Sequence, residues 1–177
     1  MSYSDDKIKH AKLGIDVSSH QGSIDWETVK EAGIKFAMIR LGYRGYTQGG
    51  LALDDGYVTN IETALEAEMP VGVYFYTQAV SYDEGVEEAQ YVLQNIAGYK
   101  ISYPVVIDTE KMEAEGARAN DISNEERTDA IVGFCETIKD AGYTPMIYAN
   151  RNWYAQNLDM DRLGDYDRKS TRLNSSH

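Results

Sequence analysis

Five short apolar or aromatic runs recur along the chain: residues 13–18 (LGIDVS), 36–43 (FAMIRLGY), 71–77 (VGVYFYT), 105–110 (VVIDTE) and 146–150 (MIYAN). Each is bounded by Gly, Pro or polar residues and has the length of a buried strand. Pro70, Pro104 and Pro145 stand just before a run, where a missing N–H does least harm to a ladder. Between the runs the period lengthens to that of a helix. Residues 24–32 form a short helical stretch closed by Gly33, and residues 55–68 set Val58, Ile61, Leu65 and Met69 on one face. Ser81 with Glu84, and Ser123 with Glu126, have capping-box spacing. The first pair precedes Val86, Ala89, Leu93 and Ile96; the second precedes Ile131, Phe134 and Ile138, with a stop at Gly142. Residues 153–158 make a further short helix. Strand and helix in steady alternation imply parallel strands joined by right-handed crossovers, an α/β class. A barrel and an open doubly wound sheet both fit. No glycine-rich loop follows the first run, which disfavours a nucleotide-binding sheet.

A chain of 177 residues with 42% hydrophobic and 26% charged positions is sized for one domain with a real core. No apolar run approaches the ~20 residues of a membrane helix, so membrane insertion is not expected. The net charge of −12 leaves no basic face to neutralise phosphates, which argues against nucleic acid. Cys135, the single cysteine, lies beside Phe134 and Ile138 and reads as a core thiol. The opening MSYSDDKIKHAK lacks the apolar centre of a signal peptide, and residues 1–12 read as an N-terminal extension. Residues 168–177 (RKSTRLNSSH) hold three basic residues and no acid after an acidic body. They read as a non-native tail from cloning or sequencing, which places the Asn174 sequon outside the fold. Of 19 aromatic residues 14 are Tyr. Tyr offers sugars an apolar face with a hydroxyl at its rim, although lining half-buried strands explains it equally well.

In a parallel barrel, reactive groups sit where strands end and βα loops begin. Asp16 lies near the end of the first run, and Asp108 and Glu110 at the end of the fourth. Residues two apart in a strand point to one side, about 6–7 Å apart along it. Two carboxyls facing one cavity repel when both are ionised, so one tends to keep a proton near neutral pH. An acid beside an anion is what glycosidic cleavage requires. Loop capping and a magnesium ligand set are the alternatives for an Asp-x-Glu pair.

GIDVSSHQGSIDW, FAMIRLGY, MPVGVYFYT, YPVVIDTE and GYTPMIYAN, in this order, resemble glycoside hydrolase family 25, the Chalaropsis-type lysozymes or 1,4-β-N-acetylmuramidases. The likeness covers residues 13–167. It implies a TIM-like (β/α)5(β)3 barrel, of which the first five strands and their helices are expected here and the last three strands, with a further active-site Asp, are missing. It implies peptidoglycan as substrate and partner, cut between N-acetylmuramic acid and N-acetylglucosamine. It also implies action outside the cell or at its wall, no cofactor or metal, and a monomeric full-length protein. Residue by residue, Glu110 matches the proton donor. Asp108 matches the carboxylate that stabilises the developing charge or orients the 2-acetamido group, and Asp16 matches an acid lining the same pocket. Tyr74, Tyr76 and Tyr148 flank the sugar or bond its acetamido group, and Asn150 and Trp153 belong near the rim. Arg40 either pairs with one of these acids or forms a structural ion pair. His20 and Gln21 are expected to make structural hydrogen bonds. An incomplete barrel would leave the first and fifth strands as open edges, favouring poor solubility or weak activity. A non-catalytic glycan-binding module, an inactive fragment and a chitinase-like barrel are the rival readings.

Overall fold

The computed structural model describes residues 2–3 and 12–171. The chain runs β1 (Ser2–Tyr3), β2 (Lys12–Val17), a 3-10 turn (Ser19–Gln21), α1 (Trp26–Glu31), β3 (Ile34–Arg44), β4 (Leu51–Leu53) and α2 (Tyr57–Glu66). It continues through β5 (Val71–Tyr76), α3 (Tyr82–Ile96), β6 (Val105–Asp108) and α4 (Asn124–Asp140), and then β7 (Pro145–Asn150), α5 (Arg151–Asn157), α6 (Met160–Leu163) and β8 (Asp167–Thr171). One sheet orders the strands β1-β2-β3-β5-β6-β7-β8, with β4 paired to β3. From β2 to β8 the ladder is parallel; β1 and β4 join antiparallel.

The sheet curls. Asp16 on β2 and Lys169 on β8 sense each other's charge, although a flat sheet would hold strands five places apart at ~24 Å. The concave face carries a small apolar cluster of Phe36, Met38 and Val106 packed with Tyr74, Tyr103, Met146 and Tyr148. A Cβ at Gly14 would fall inside the Phe36 ring, so only glycine lets that ring fill the bottom of the trough. The convex face carries the main core, where Val17, Ile39, Leu41, Val73, Phe75, Ile107 and Ile147 meet the helices.

The helices follow from their local chemistry. Ser123 and Glu126 form the reciprocal capping box expected of them. Ser81 accepts from the Glu84 N–H, but the Glu84 carboxylate does not return to Ser81. Arg118 and Arg44 draw it away. On α2 the buried face is Tyr57, Asn60, Ile61 and Ala64, and Val58 points outward. Of the expected face, Ile61 and Met69 are buried and Leu65 packs against the core; Tyr57 takes the place of Val58, its hydroxyl donating to the Asn95 carbonyl at 2.7 Å. Helices α3 and α4 meet where Gly85 abuts the Ala130 carbonyl.

Three strands escape a hydrophobic reading. β4 is three residues long, and β1 and β8 are polar edge strands held by main-chain pairing. The first and fifth expected strands are therefore not open edges. Ser2–Tyr3, from the presumed extension, covers β2, and Asp167–Thr171 covers β7. The expected strand count of five parallel members is corrected to six. Arg168, Lys169 and their two successors, set aside as tail, lie in β8; residues 172–177, the Asn174 sequon included, lie outside the described residues.

Candidate active site

The C-terminal ends of the parallel strands bring the acids together. Asp108 closes β6 and is buried. Beyond the strand end, the pairing continues: the Thr77 N–H donates to the Asp108 carbonyl at 3.0 Å, and the Thr109 N–H donates to the Tyr148 carbonyl at 3.0 Å. The tripeptide 108–110 thus stays extended, and the alternation that puts Asp108 and Glu110 on one side survives. Their carboxyls lie close enough for the Glu110 charge to act on Asp108. Burial first, then the Glu110 charge, raises the Asp108 carboxyl well above its ordinary range; Arg40 opposes that rise, and Asp16 adds to it. Asp108 Oδ1 has no hydrogen-bond partner, so one buried acceptor faces the trough unsatisfied.

Register explains which side chains surround this pair. Asp108 is the ladder partner of Tyr76 on one side and Tyr148 on the other, and Tyr74 is the partner of Arg40. Parallel partners share a face. Burial lifts the phenols of Tyr74 and Tyr76, and neighbouring acids reinforce it: Asp16 and Asp108 for Tyr74, Glu110 and Asp108 for Tyr76. Both hydroxyls are therefore protonated donors.

Asp16, Asp108, Glu110, Tyr74, Tyr76, Tyr148 and Arg40 accordingly belong to one neighbourhood. Arg40 makes its ion pair with Asp54 at 3.9 Å rather than with any of the three expected acids. Its guanidinium lies 5.3 Å from the Tyr43 ring and 6.0 Å from the Tyr76 ring. Asp54 in turn accepts from the Ser19 N–H at 2.9 Å and the Gly56 N–H at 3.0 Å, tying the loop after β2 to the start of α2. Gln21 accepts from the Ser18 N–H at 2.7 Å, a structural bond; the His20 N–H donates to the Ser18 hydroxyl at 3.2 Å, and the residue is exposed.

The two residues expected near the rim are engaged in structural bonds. Trp153 is 8% exposed, and its indole N–H donates to Thr109 Oγ1 at 2.9 Å. That bond holds the indole against the acidic loop, in the first turns of α5. Asn150 Oδ1 accepts from the Trp153 N–H at 2.8 Å and caps α5. A capping role for an Asn just before a helix is common, and the Asn150–Trp153 spacing carried that signal.

The sequence reading missed Tyr43, Asp54 and Arg127. Tyr43 reaches the mouth through a register shift between Arg40 and Gly42 that makes it the partner of Tyr76. Such an irregularity re-aims side chains and leaves no mark in periodicity. Arg127 lies inside α4 yet is buried, and with Glu110 it lines a cavity of about 10 Å³. Among the described residues no three His, Cys, Asp or Glu side chains gather as a metal site.

The autolytic lysozyme of Clostridium acetobutylicum is 28% identical over 146 residues, 82% of this chain and 40% of the relative. The chain thus spans well under half of that relative's length. The solved modular autolysin LytC from Streptococcus pneumoniae, in complex with a synthetic peptidoglycan ligand, superposes with TM-score 0.72 at 28% identity, covering 85% of this chain and 35% of the other. A family 25 glycosyl hydrolase from Bacillus anthracis has the same fold at TM-score 0.76 and 24% identity, covering 99% and 76%. The curled parallel sheet is the architecture these solved structures share, and the profile of glycosyl hydrolases family 25 matches residues 15–168. The chain belongs to glycosyl hydrolases family 25.

Proposed function

We propose that this chain carries the cleavage site of a muramidase that hydrolyses the β-1,4 bond between N-acetylmuramic acid and N-acetylglucosamine in peptidoglycan, acting outside the cell or at its wall. The observation that carries the reading is the buried Asp108 carboxyl with the half-buried Glu110 carboxyl beside it, in a trough lined by protonated tyrosines. We place its six parallel strands within a (β/α)5(β)3 barrel.

Burial favours the protonated form of Asp108. A bound 2-acetamido N–H would donate to the Asp108 carboxylate and favour its ionised form, moving the proton to Glu110. Glu110 then donates to the leaving glycosidic oxygen, while Asp108 steadies the acetamido group or the positive charge growing at the anomeric carbon. Arg40 keeps negative charge tolerable in the pair, since it is the group that lowers the Asp108 carboxyl. Asp16 adds negative potential across the trough, and Tyr74, Tyr76 and Tyr148 offer rings and hydroxyls to the sugar.

Replacing Glu110 with Gln removes the acid and keeps the shape. Release of reducing ends from peptidoglycan should fall by about 10²–10⁴-fold while binding to insoluble wall persists. Unchanged cleavage would remove Glu110 from the acid's role. Unchanged binding by a wild-type protein that never cleaves would favour a glycan-binding module, and faster release from chitin than from peptidoglycan would favour a chitinase.

A further inference from the structure

The peptide that carries Asp108 and Glu110 is gripped from behind. Thr109 alternates with the two acids, so its side chain points away from the trough, and it is 3% exposed. Its Oγ1 accepts the Trp153 indole N–H at 2.9 Å, a buried bond between residues 44 apart in the chain. On the Trp153 ring, at 4.7 Å, lies the Arg127 guanidinium. Arg127 donates to the carbonyls of Ala119 at 2.8 Å, Asn120 at 3.2 Å and Ile122 at 3.4 Å. Its other terminal nitrogen donates to the Asn157 carbonyl at 3.2 Å. One cation therefore fastens the end of the β6–α4 loop, the end of α5 and the indole that holds Thr109. Thr77, Thr109, Glu110, Arg127 and Trp153 line the same small cavity, so nothing separates the clamp from the acid.

We propose that Thr109, Trp153 and Arg127 form a positioning unit that fixes the distance between the Glu110 and Asp108 carboxyls. This rests on the muramidase reading for its effect on turnover, but not for its effect on the carboxyl pair. Loosening the clamp lets the two carboxyls move apart. Their mutual repulsion, which helps hold the proton, weakens with separation, and a displacement of about 1 Å is enough to slow proton transfer severely.

The test uses the whole chain, three single variants and one double variant. Thr109→Val keeps shape and loses the acceptor, Trp153→Phe keeps a ring for Arg127 and loses the N–H, and Thr109→Ser keeps the hydroxyl. Thr109→Val and Trp153→Phe should each lower kcat on peptidoglycan by about tenfold, the scale of one lost hydrogen bond, with KM unchanged. The alkaline limb of the pH profile should move to lower pH. The double variant should be no worse than either single one, and Thr109→Ser should recover both kcat and the limb. Carbon NMR titration of the carboxyl pair, which needs no turnover, should show the Asp108 midpoint falling in Thr109→Val. An unmoved midpoint and limb in Thr109→Val would overturn the proposal, as would a Thr109→Ser variant as impaired as Thr109→Val. A wild-type chain without cleavage would instead overturn the muramidase reading, and the titration would still decide this one.

Discussion

Glu88, on α3, is a fully buried carboxyl beneath the site, and its protonation should be visible in the stability of the whole protein. Arg44 Nε donates to it at 2.9 Å, and Arg44 also binds Glu87 at 2.8 Å and approaches Glu84 at 3.6 Å. Arg118 completes the group with a bidentate hold on Glu84. Burial outweighs the help from Thr77 and Arg44 and lifts Glu88 from its ordinary 4.5 to about 7. The unfolded chain releases this proton near pH 4.5, whereas the folded chain keeps it to about pH 7. Folding therefore takes up a proton inside that window. The associated stability is complete below the unfolded value and disappears as the pH rises through the folded one. At about 1.4 kcal/mol per pH unit, the loss is on the order of 3 kcal/mol. Asp108 titrates in the same sense, so the effect of Glu88 is read as a difference. Urea unfolding of the wild type and Glu88→Gln at several points from pH 4.5 to 8 isolates it. Gln keeps the size and an oxygen for Arg44 but cannot ionise. The wild type should lose more stability than Glu88→Gln over this range, by roughly the amount above. Parallel curves, or a wild type that gains stability relative to the variant as pH rises, would refute the reasoning.

Other outcomes follow from the same geometry. Gly14→Ala drives a methyl into the Phe36 ring and should cost about 1–3 kcal/mol, the usual penalty of overpacking; a thermal melt checks it. Ser123→Ala removes the oxygen that accepts the Glu126 N–H at 3.1 Å and should cost ~1 kcal/mol by the same assay. Asp108→Asn removes a buried acceptor charge from the trough. Cleavage should be lost while unfolding at pH 8 moves to higher urea, because a carboxyl raised by burial opposes folding once ionised. A destabilised Asp108→Asn would mean that the carboxylate is well solvated or paired.

Much of the framework is legible from pattern alone, because apolar runs mark strands buried on both faces and capping pairs mark helix starts. The short or polar strands β1, β4 and β8 are invisible to that signal, since main-chain pairing at an edge asks little of side chains. The acids were legible because Asp108 and Glu110 follow three apolar residues of a strand end. The partner of Trp153 was not legible: an aromatic at a loop-to-helix junction can face either way, and its bond to Thr109 is made between residues far apart in the chain. Arg127 and Glu88 look like the solvated faces of their helices in sequence. Tertiary packing buries them, and Arg127 is satisfied by carbonyls that no local spacing announces.

The most direct measurement is the identity of the sugar left at each new chain end. Peptidoglycan digested by this protein, reduced with borohydride and hydrolysed, should yield the reduced form of muramic acid, and the Glu110→Gln variant should yield none. Reduced glucosamine, or equal muramic yields from both proteins, would contradict the account.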